Sequence, residues 1–340
     1  MNYKENWLRL IRNNHPGWIG TPWEAFKGND PIGMFVADPI TQSLFVDGIV
    51  YDVPQKDAWG VTWMWFSGSV ARNPHITDEN KVLKDITRWK ETVVFPPLDG
   101  HDWSEAQAFM ESVDRSEYLT MCFVNGGLFE RSHYLMGFED ALCNYLVNQE
   151  PVYELLGAIA DWKIGQLNRI MDNMQPDIVH FHDDWGSKAN LFMPPDVWRK
   201  IIKPHHQRIV DTVKSRGLIF MHHADCICEP IVEDMAEMGI DIWQGVIPQN
   251  DIPAIQKRLG GRMALMGGID AQLIDKPDYD EDTIRKEVRR CIDAYCPAGH
   301  FIPCIPNIKP LYPGVARIYH DELRTYGKEF FQRTLPSKPF

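Results

Sequence analysis

Two histidines, an aspartate, two cysteines and a glutamate lie within the eight residues 222–229. They directly follow an apolar run, residues 218–221, that is typical of a buried parallel strand. Side chains at the carboxyl end of such a strand face a common mouth in α/β barrels, where active sites gather. Histidine, aspartate and cysteine bind metal ions, and histidine and aspartate also transfer protons. The sequence therefore predicts that the chemistry takes place at this strand end.

Three residues, His223, Asp225 and Cys304, form a candidate zinc site. His223 and Asp225 are two residues apart, so on an extended strand both side chains point to the same face, into the barrel mouth. Cys304 ends a later strand-like run and can converge on them. Three such ligands leave one position on zinc open for a substrate. Cys226 and Cys228 offer a competing ligand set, and isolated thiols are often inert core residues.

Polar side chains also follow the other strand-like runs. We assign catalytic roles to His182, His222 and Asp184, because a histidine or carboxylate at the mouth can transfer a proton. We assign substrate binding to a second set at the strand ends: Asp183, Trp185, Gln244 and Asp270. Since Asp183 and Asp184 are adjacent, we expect only one to face the mouth and the other to cap the next helix. For every one of these residues the alternative is a structural hydrogen-bonding role.

Six apolar runs separated by helix-like segments make up the second part of the chain. The runs are residues 118–124, 177–181, 218–221, 240–243, 263–266 and 300–304. The helical pattern is clearest in residues 281–295, where one face carries the apolar side chains: Ile284, Val288, Cys291, Ile292 and Tyr295. The last four runs begin 22 to 37 residues apart. This spacing predicts an α/β fold of the TIM-like (β/α)8 barrel type.

Residues 1–117 lack this regular alternation and are rich in tryptophan and proline. We interpret them as an irregular, Trp-rich N-terminal extension that folds over the barrel as a lid and contains its first strands. Residues 118–340 are then the barrel core, and the two parts form one structural domain overall. The tryptophans either line a pocket for a flat ligand or fill the core, as large aromatic side chains often do.

The composition of the 340-residue chain is that of a globular enzyme, with 44% hydrophobic and 24% charged residues. A formal net charge of −12 argues against general nucleic-acid binding, because neutralising phosphates requires a basic surface. No run approaches the length of a membrane span and the first residues lack the apolar segment of a signal peptide, so we expect no membrane association and a cytoplasmic location. Seven cysteines without a framework spacing favour reduced thiols over disulfides.

Taken together, several segments resemble the uroporphyrinogen decarboxylase superfamily. The resemblance extends over roughly residues 118–335 and rests on residues 129–139, 183–186, 194–198 with 203–204, 223–230, 267–270 and 299–304. It implies a TIM-like barrel. The decarboxylases of this superfamily bind the porphyrinogen carboxylates through an arginine-containing amino-terminal motif, and this sequence has no such segment. Without that positive clamp an acidic protein holds a polycarboxylate poorly, so we discount porphyrinogen decarboxylation.

The methyltransferase branch of this superfamily binds zinc through a His-x-Cys motif on one strand and a cysteine on the last strand. His223 and Cys304 match these positions, while Asp225 stands in place of the first cysteine. An oxygen ligand leaves zinc a harder Lewis acid, which suits an oxygen-containing substrate. The resemblance therefore implies a methyltransferase of the O-demethylase type. It would move a methyl group from a small methylated compound, preferentially an aryl methyl ether, to the Co(I) of a corrinoid (cobalamin-type) partner protein.

Two other classes of function are open. The first is a metal-free decarboxylase of a small carboxylate substrate, in which Asp184 stabilises a protonated intermediate. The second is a non-catalytic binding protein for an aromatic ligand or a corrinoid partner, since a fold does not fix a function. Metal content and turnover distinguish the three classes.

Overall fold

Nine strands and fourteen α-helices make up the part of the chain that the computed structural model describes, namely residues 1–13, 15–29, 38–44, 50–67, 72–307 and 310–334. The strands are β1 (Gln55–Lys56), β2 (Thr62–Met64), β3 (Asn73–Pro74), β4 (Met121–Val124), β5 (Ile178–His182), β6 (Ile219–His223), β7 (Ile242–Val246), β8 (Ala264–Gly268) and β9 (Phe301–Cys304). The helices are α1 (Tyr3–Arg12), α2 (Pro39–Ser43), α3 (Trp89–Thr92), α4 (Ser104–Glu111), α5 (Leu128–Met136), α6 (Phe138–Val147), α7 (Gln149–Met174), α8 (Pro195–Ile201), α9 (Lys203–Lys214), α10 (Val232–Glu237), α11 (Ile252–Leu259), α12 (Ala271–Ile274), α13 (Glu281–Tyr295) and α14 (Pro313–Thr334). Within these ranges no helix combines the length and the apolar composition that crossing a membrane requires.

The central sheet consists of the six strands β4 to β9, which are all parallel and lie in chain order. Helices connect successive strands, so the chain has the strand and helix alternation of a TIM-type barrel, as predicted. Each of the six apolar runs coincides with one strand. Strands β5 to β8 end one to three residues beyond the predicted runs, which places His182, His222, His223 and Gln244 on the strands themselves.

Helix α13 has the predicted bounds and the predicted buried face. Asp280 caps its start by accepting a hydrogen bond from the backbone N–H of Thr283 at 2.8 Å. The apolar stripe read from the sequence is buried against the rest of the barrel: Ile284, Val288, Cys291, Ile292 and Tyr295. Burial of this stripe supplies the packing energy that an isolated helix of this length lacks.

Residues 1–13 and 15–29 pack at the amino ends of the strands, opposite the mouth. Helix α1 contacts β8 and β9, and His300, which precedes β9, hydrogen bonds through Nδ1 to the backbone oxygen of Ile11 at 2.9 Å. Leu119, which precedes β4, donates its N–H to the backbone oxygen of Ala25 at 2.8 Å. This part of the N-terminal region therefore closes the lower end of the barrel and does not cover the mouth.

A second part of the N-terminal region packs on helix α5 through the buried carboxylate of Asp57. This carboxylate accepts hydrogen bonds from the backbone N–H groups of Trp59 and Val61 and from Trp63 Nε1, and it pairs with Arg131 Nη1 on α5 at 3.1 Å. Trp59 and Trp63 are buried. These two tryptophans therefore fill the core between the small antiparallel sheet β1–β3 and α5.

The predicted first barrel strands fall in residues 1–117. In the described part of that region the strands are the short antiparallel β1, β2 and β3. Residues 30–37, 45–49 and 68–71 lie outside the described residues. The assignment of the first barrel strands to this region therefore stays a prediction.

Lys163 on α7 is a buried ionisable residue, and its effect on the stability of the fold can be measured. It is completely buried, and its Nζ donates a hydrogen bond to the backbone oxygen of Asn125 at 2.7 Å. Burial, reinforced by the charge of Arg131, lowers the pKa of Lys163 to about 7 from its ordinary value of 10.5. Between these two values the unfolded chain binds more protons than the folded chain, so this group makes the free energy of unfolding rise with pH by about 1.4 kcal/mol per pH unit.

We expect Lys163→Met to remove this rise. Urea unfolding at about pH 7, 8 and 9 measures it, with Lys200→Met, which replaces an exposed lysine, as the control. The prediction would be contradicted if the free energy of unfolding changed with pH equally in the wild type and in Lys163→Met.

Candidate active site

His182, Asp184 and His223 come together at the carboxyl ends of β5 and β6. His182 and His223 are the last residues of these strands and are paired in the strand register, and their rings stack with centroids 4.4 Å apart. One ligand atom from each of the three side chains lies within 4.8 Å of the other two. Two imidazoles and a carboxylate in this arrangement form a donor set that suits zinc and leaves one position open.

The imidazole of His182 is held by a carboxylate from helix α5. Its Nδ1 hydrogen bonds to Oε2 of Glu130 at 2.9 Å, while its Nε2 lies 4.0 Å from Oδ2 of Asp184. Burial alone would lower the pKa of His182, but the charges of Glu130 and Asp184 outweigh burial and raise this pKa to about 10. Because Glu130 engages Nδ1, Nε2 is the ring nitrogen that is directed towards Asp184.

The imidazole of His223 is held by an amide from the next strand. Its Nδ1 hydrogen bonds to Oε1 of Gln244, and Gln244 Nε2 donates to the backbone oxygen of Pro306 at 2.9 Å. The amide oxygen accepts, so Nδ1 of His223 carries the proton and Nε2 keeps its lone pair. Burial lowers the pKa of His223 to about 3, so the ring is neutral. Gly245 permits the local strand irregularity, because its φ is 97° and a Cβ there would lie 3.0 Å from the backbone oxygen of Ala224.

Asp184 faces the mouth, as one of the two adjacent aspartates was expected to do. The side chains of Asp184 and His182 are 26% and 22% exposed, so the group is open to solvent. Partial burial raises the pKa of Asp184 to about 8, although His182 opposes this shift. Oδ1 of Asp184 accepts a hydrogen bond from the backbone N–H of Asp225 at 3.0 Å, and burial raises the pKa of the Asp225 carboxyl as well. Asp225 therefore lies directly beside the three-residue group.

Asp183 does not face the mouth, contrary to its assignment as a substrate contact. Its fully buried carboxylate caps helix α5 by accepting hydrogen bonds from the backbone N–H groups of Leu128, Phe129 and Glu130 at 2.9 to 3.2 Å. The capped helix thus precedes β5, whereas we predicted a cap on the following helix. Burial, with the charge of Glu130, raises the pKa of Asp183 to about 7 while these hydrogen bonds lower it. Gly127 allows the close approach, since a Cβ there would lie 2.4 Å from Asp183 side-chain atoms.

His222 and Trp185 also lie away from the mouth, which corrects their assignment as a catalytic residue and a substrate contact. Because His222 precedes His223 on β6, its side chain points to the opposite face of the sheet. It is fully buried there, its ring stacks on Trp185 at 4.1 Å, and it lies 5.0 Å from the ring of His206 on α9. Burial lowers the pKa of His222 well below its ordinary value. These aromatic rings pack the layer between sheet and helices.

The two other predicted substrate contacts have structural partners. Gln244 is fully buried and both ends of its amide are engaged, one with His223 and one with Pro306. Asp270 caps α12 by accepting a hydrogen bond from the backbone N–H of Gln272 at 3.0 Å. In the structure Gln244 therefore positions a histidine. Asp270 caps a helix, which is the structural hydrogen-bonding role that the sequence left open as an alternative.

Cys304 is completely buried at the end of β9, and burial raises the pKa of its thiol far above the ordinary value. The side chains of Tyr319 and Gln244 oppose this shift. Gln244 also hydrogen bonds to His223, so Cys304 and His223 share this neighbour. Among the described residues the three-membered group that could hold a metal contains His223 but neither Cys304 nor Asp225. Their assignment as ligands stays a prediction.

The Cys-x-Cys pair belongs to the loop behind the site. Cys226 and Cys228 are both buried, with their Sγ atoms 3.5 Å apart. Asn250 fixes this loop, because its Nδ2 donates to the backbone oxygen of Cys226 at 3.0 Å and its Oδ1 accepts from the N–H of Cys228 at 3.2 Å. Neither thiol is in the group formed by His182, Asp184 and His223.

Glu130 is the site residue that the sequence reasoning missed. It is 5% exposed, and besides His182 it accepts a hydrogen bond from the hydroxyl of Tyr134 at 3.1 Å. In the sequence, residues 129–139 stand out only as a segment that carries the family resemblance. Because Glu130 lies on a helix and not at a strand end, no spacing in the sequence connected it with His182.

Comparison with known proteins identifies the family of this chain. The family model for uroporphyrinogen decarboxylase (URO-D) matches residues 98–303, and no curated protein sequence gives a match. Among solved structures, a methyltransferase from Methanosarcina mazei superimposes with a TM-score of 0.62 and 15% sequence identity, covering 98% of this chain and 99% of that chain. At this identity the structural match supports the barrel fold alone. Since the family match spans more than half of the sequence, the chain belongs to the uroporphyrinogen decarboxylase family.

Proposed function

We propose that this protein is a methyltransferase that takes a methyl group from a small methylated compound, an aryl methyl ether, and passes it to the Co(I) of a separate corrinoid protein. The observation that carries the proposal is the group of His182, Asp184 and His223 at the barrel mouth. The family membership and the fold shared with a methyltransferase from Methanosarcina mazei support it. The absence of an arginine-containing amino-terminal motif distinguishes the chain from porphyrinogen decarboxylases.

We assign zinc to this group. His182 and His223 each have Nδ1 engaged by a neighbour, so Nε2 is the nitrogen left for a metal ion, which would displace the Nε2 proton of His182. The carboxylate of Asp184 supplies the third donor. Bound there, zinc would act as a Lewis acid that favours departure of an alkoxide or phenoxide oxygen. The ligand set implied by the resemblance shares His223 but takes Asp225 and Cys304 in place of the other two.

Other residues of the chain surround the position where the methyl–oxygen bond of the substrate would lie. The ring of Phe123 on β4 lies edge-on to His182 with centroids 5.9 Å apart, and it gives the site an apolar aromatic wall suited to a methoxylated ring. On the open side, the exposure of His182 and Asp184 leaves the mouth accessible to a docked partner. Gln244 and Glu130 keep both imidazoles in place while the substrate enters.

The test combines metal content with turnover. Protein purified without added metal is analysed for zinc, then incubated with cob(I)alamin and a methoxylated aromatic acid under reducing conditions. We expect about one zinc per chain and release of the free phenol that requires both zinc and cob(I)alamin. His223→Ala serves as the inactive control. Zinc-replete protein that releases no phenol from a panel of methoxylated aromatics would exclude the aryl ether as substrate.

Decarboxylation of a small carboxylate is the second candidate. The observation in its favour is the position of Asp184 at the mouth, where its partly exposed carboxylate can stabilise a protonated intermediate. This reading requires CO2 release without metal and without a corrinoid. A wild-type protein that takes up no zinc on titration would favour it over methyl transfer.

A further inference from the structure

Glu130 and Gln244 make the same kind of contact, each with the Nδ1 atom of one imidazole of the site. Glu130 hydrogen bonds to Nδ1 of His182 at 2.9 Å, and Gln244 hydrogen bonds to Nδ1 of His223. We infer that these two residues are positioning residues for the metal: they fix the orientation of both rings and reserve both Nε2 atoms for the ion. The inference rests on the proposed function, because it concerns the same metal site.

The contact between Glu130 and His182 is one half of a reciprocal arrangement. Asp183, the neighbour of His182 on the chain, binds the first N–H groups of helix α5, including that of Glu130 at 2.9 Å. Glu130, in the first turn of the same helix, in turn binds the ring of His182. The helix and the strand end therefore hold each other at two adjacent positions. This geometry removes rotational freedom from the imidazole before any metal binds.

Glu130 is itself fixed on its other side. Its Oε1 accepts a hydrogen bond from the hydroxyl of Tyr134, whose ring packs edge-on against Trp63 with centroids 5.0 Å apart. Trp63 donates through Nε1 to the buried carboxylate of Asp57. The orientation of His182 thus depends on contacts that lead back to residues 50–67.

The two positioning residues differ in charge. A carboxylate partner orients a metal-bound histidine and also makes it a stronger ligand, whereas the neutral amide of Gln244 does only the former. Such partners contribute about 10–100-fold to metal affinity. We therefore expect the larger effect at Glu130.

Zinc affinity of the full chain, measured by competition with a chromophoric chelator, tests the inference. We expect Glu130→Ala to weaken zinc binding by about 10–100-fold, and Glu130→Gln to lie between it and the wild type, because the amide oxygen still accepts from Nδ1. Glu322→Gln is the matched control, since it neutralises a buried glutamate that pairs with Arg285 and Arg289 away from the mouth. Equal affinities for the wild type and Glu130→Ala would overturn the inference, as would an equal loss in Glu322→Gln.

A second measurement does not depend on metal. The 15N NMR spectrum of histidine-labelled, zinc-free protein reports the protonation of each ring nitrogen, and His182→Gln identifies the signals of His182. We expect a protonated, hydrogen-bonded Nδ1 in the wild type and a shifted Nδ1 resonance in Glu130→Ala. An unchanged resonance in Glu130→Ala would overturn the positioning role. Failure of the wild type to bind zinc would instead count against the proposed function, and the NMR result would still decide the role of Glu130.

Discussion

His223→Ala is expected to abolish stoichiometric zinc binding, with an affinity reduced by more than about 100-fold. Loss of an outer partner already costs about 10–100-fold, and this substitution removes a ligand. His223 is also the one residue common to the group in the structure that could hold a metal and the ligand set implied by the resemblance. Elemental analysis after dialysis against a weak chelator measures the bound zinc.

His222→Leu is the matched control for this experiment. His222 is the adjacent histidine on the same strand, but its ring lies in the apolar layer on the other face of the sheet. A leucine there keeps the packing, so we expect zinc to be retained. Zinc loss in His222→Leu comparable to that in His223→Ala would show that the metal is not bound at the mouth.

Two further variants distinguish the ligand sets. If His182, Asp184 and His223 hold zinc, Asp184→Ala loses it and Cys304→Ser keeps it. The opposite result would return Cys304 and Asp225 to the site.

Asp183→Ala is expected to lower the free energy of unfolding by about 4 kcal/mol. The substitution leaves the backbone N–H groups of Leu128, Phe129 and Glu130 and the indole N–H of Trp185 without their acceptor. A buried donor without a partner costs about 1–3 kcal/mol, and a lost helix cap about 1 kcal/mol, so partial rehydration still leaves a large effect. Urea unfolding with an unchanged m value measures the loss.

Asp270→Ala is the matched control for Asp183→Ala, because both substitutions remove an aspartate that caps a helix. Asp270 also caps a helix, α12, but it is only partly buried and its carboxylate caps through one N–H, that of Gln272. We expect its replacement to cost about 1 kcal/mol. If Asp183→Ala costs no more than Asp270→Ala, the buried cap on α5 does not have the stabilising role that its geometry indicates.

The amino-acid pattern predicts the six strands, the buried face of α13 and the strand ends where the candidate site lies. These features depend on the local period of apolar residues, which is readable without tertiary contacts. It also supplied His182, Asp184 and His223 as candidate residues of the site. Asp183 and Asp184 were correctly expected to face different directions, because neighbouring side chains on an extended chain alternate.

Which of the candidate residues lie together depends on tertiary contacts. The apolar run of β6 ends at Met221, but hydrogen bonding to β5 and β7 continues the strand through His223, and this directs His222 away from the mouth. The pairing of β5 with β6 places His182 beside His223. The carboxylate of Glu130, which accepts the hydrogen bond from His182, lies on a helix about fifty residues earlier in the chain. Such contacts depend on the register between strands and on where the helices pack. Neither of these produces a periodic pattern of residues that can be recognised in the sequence.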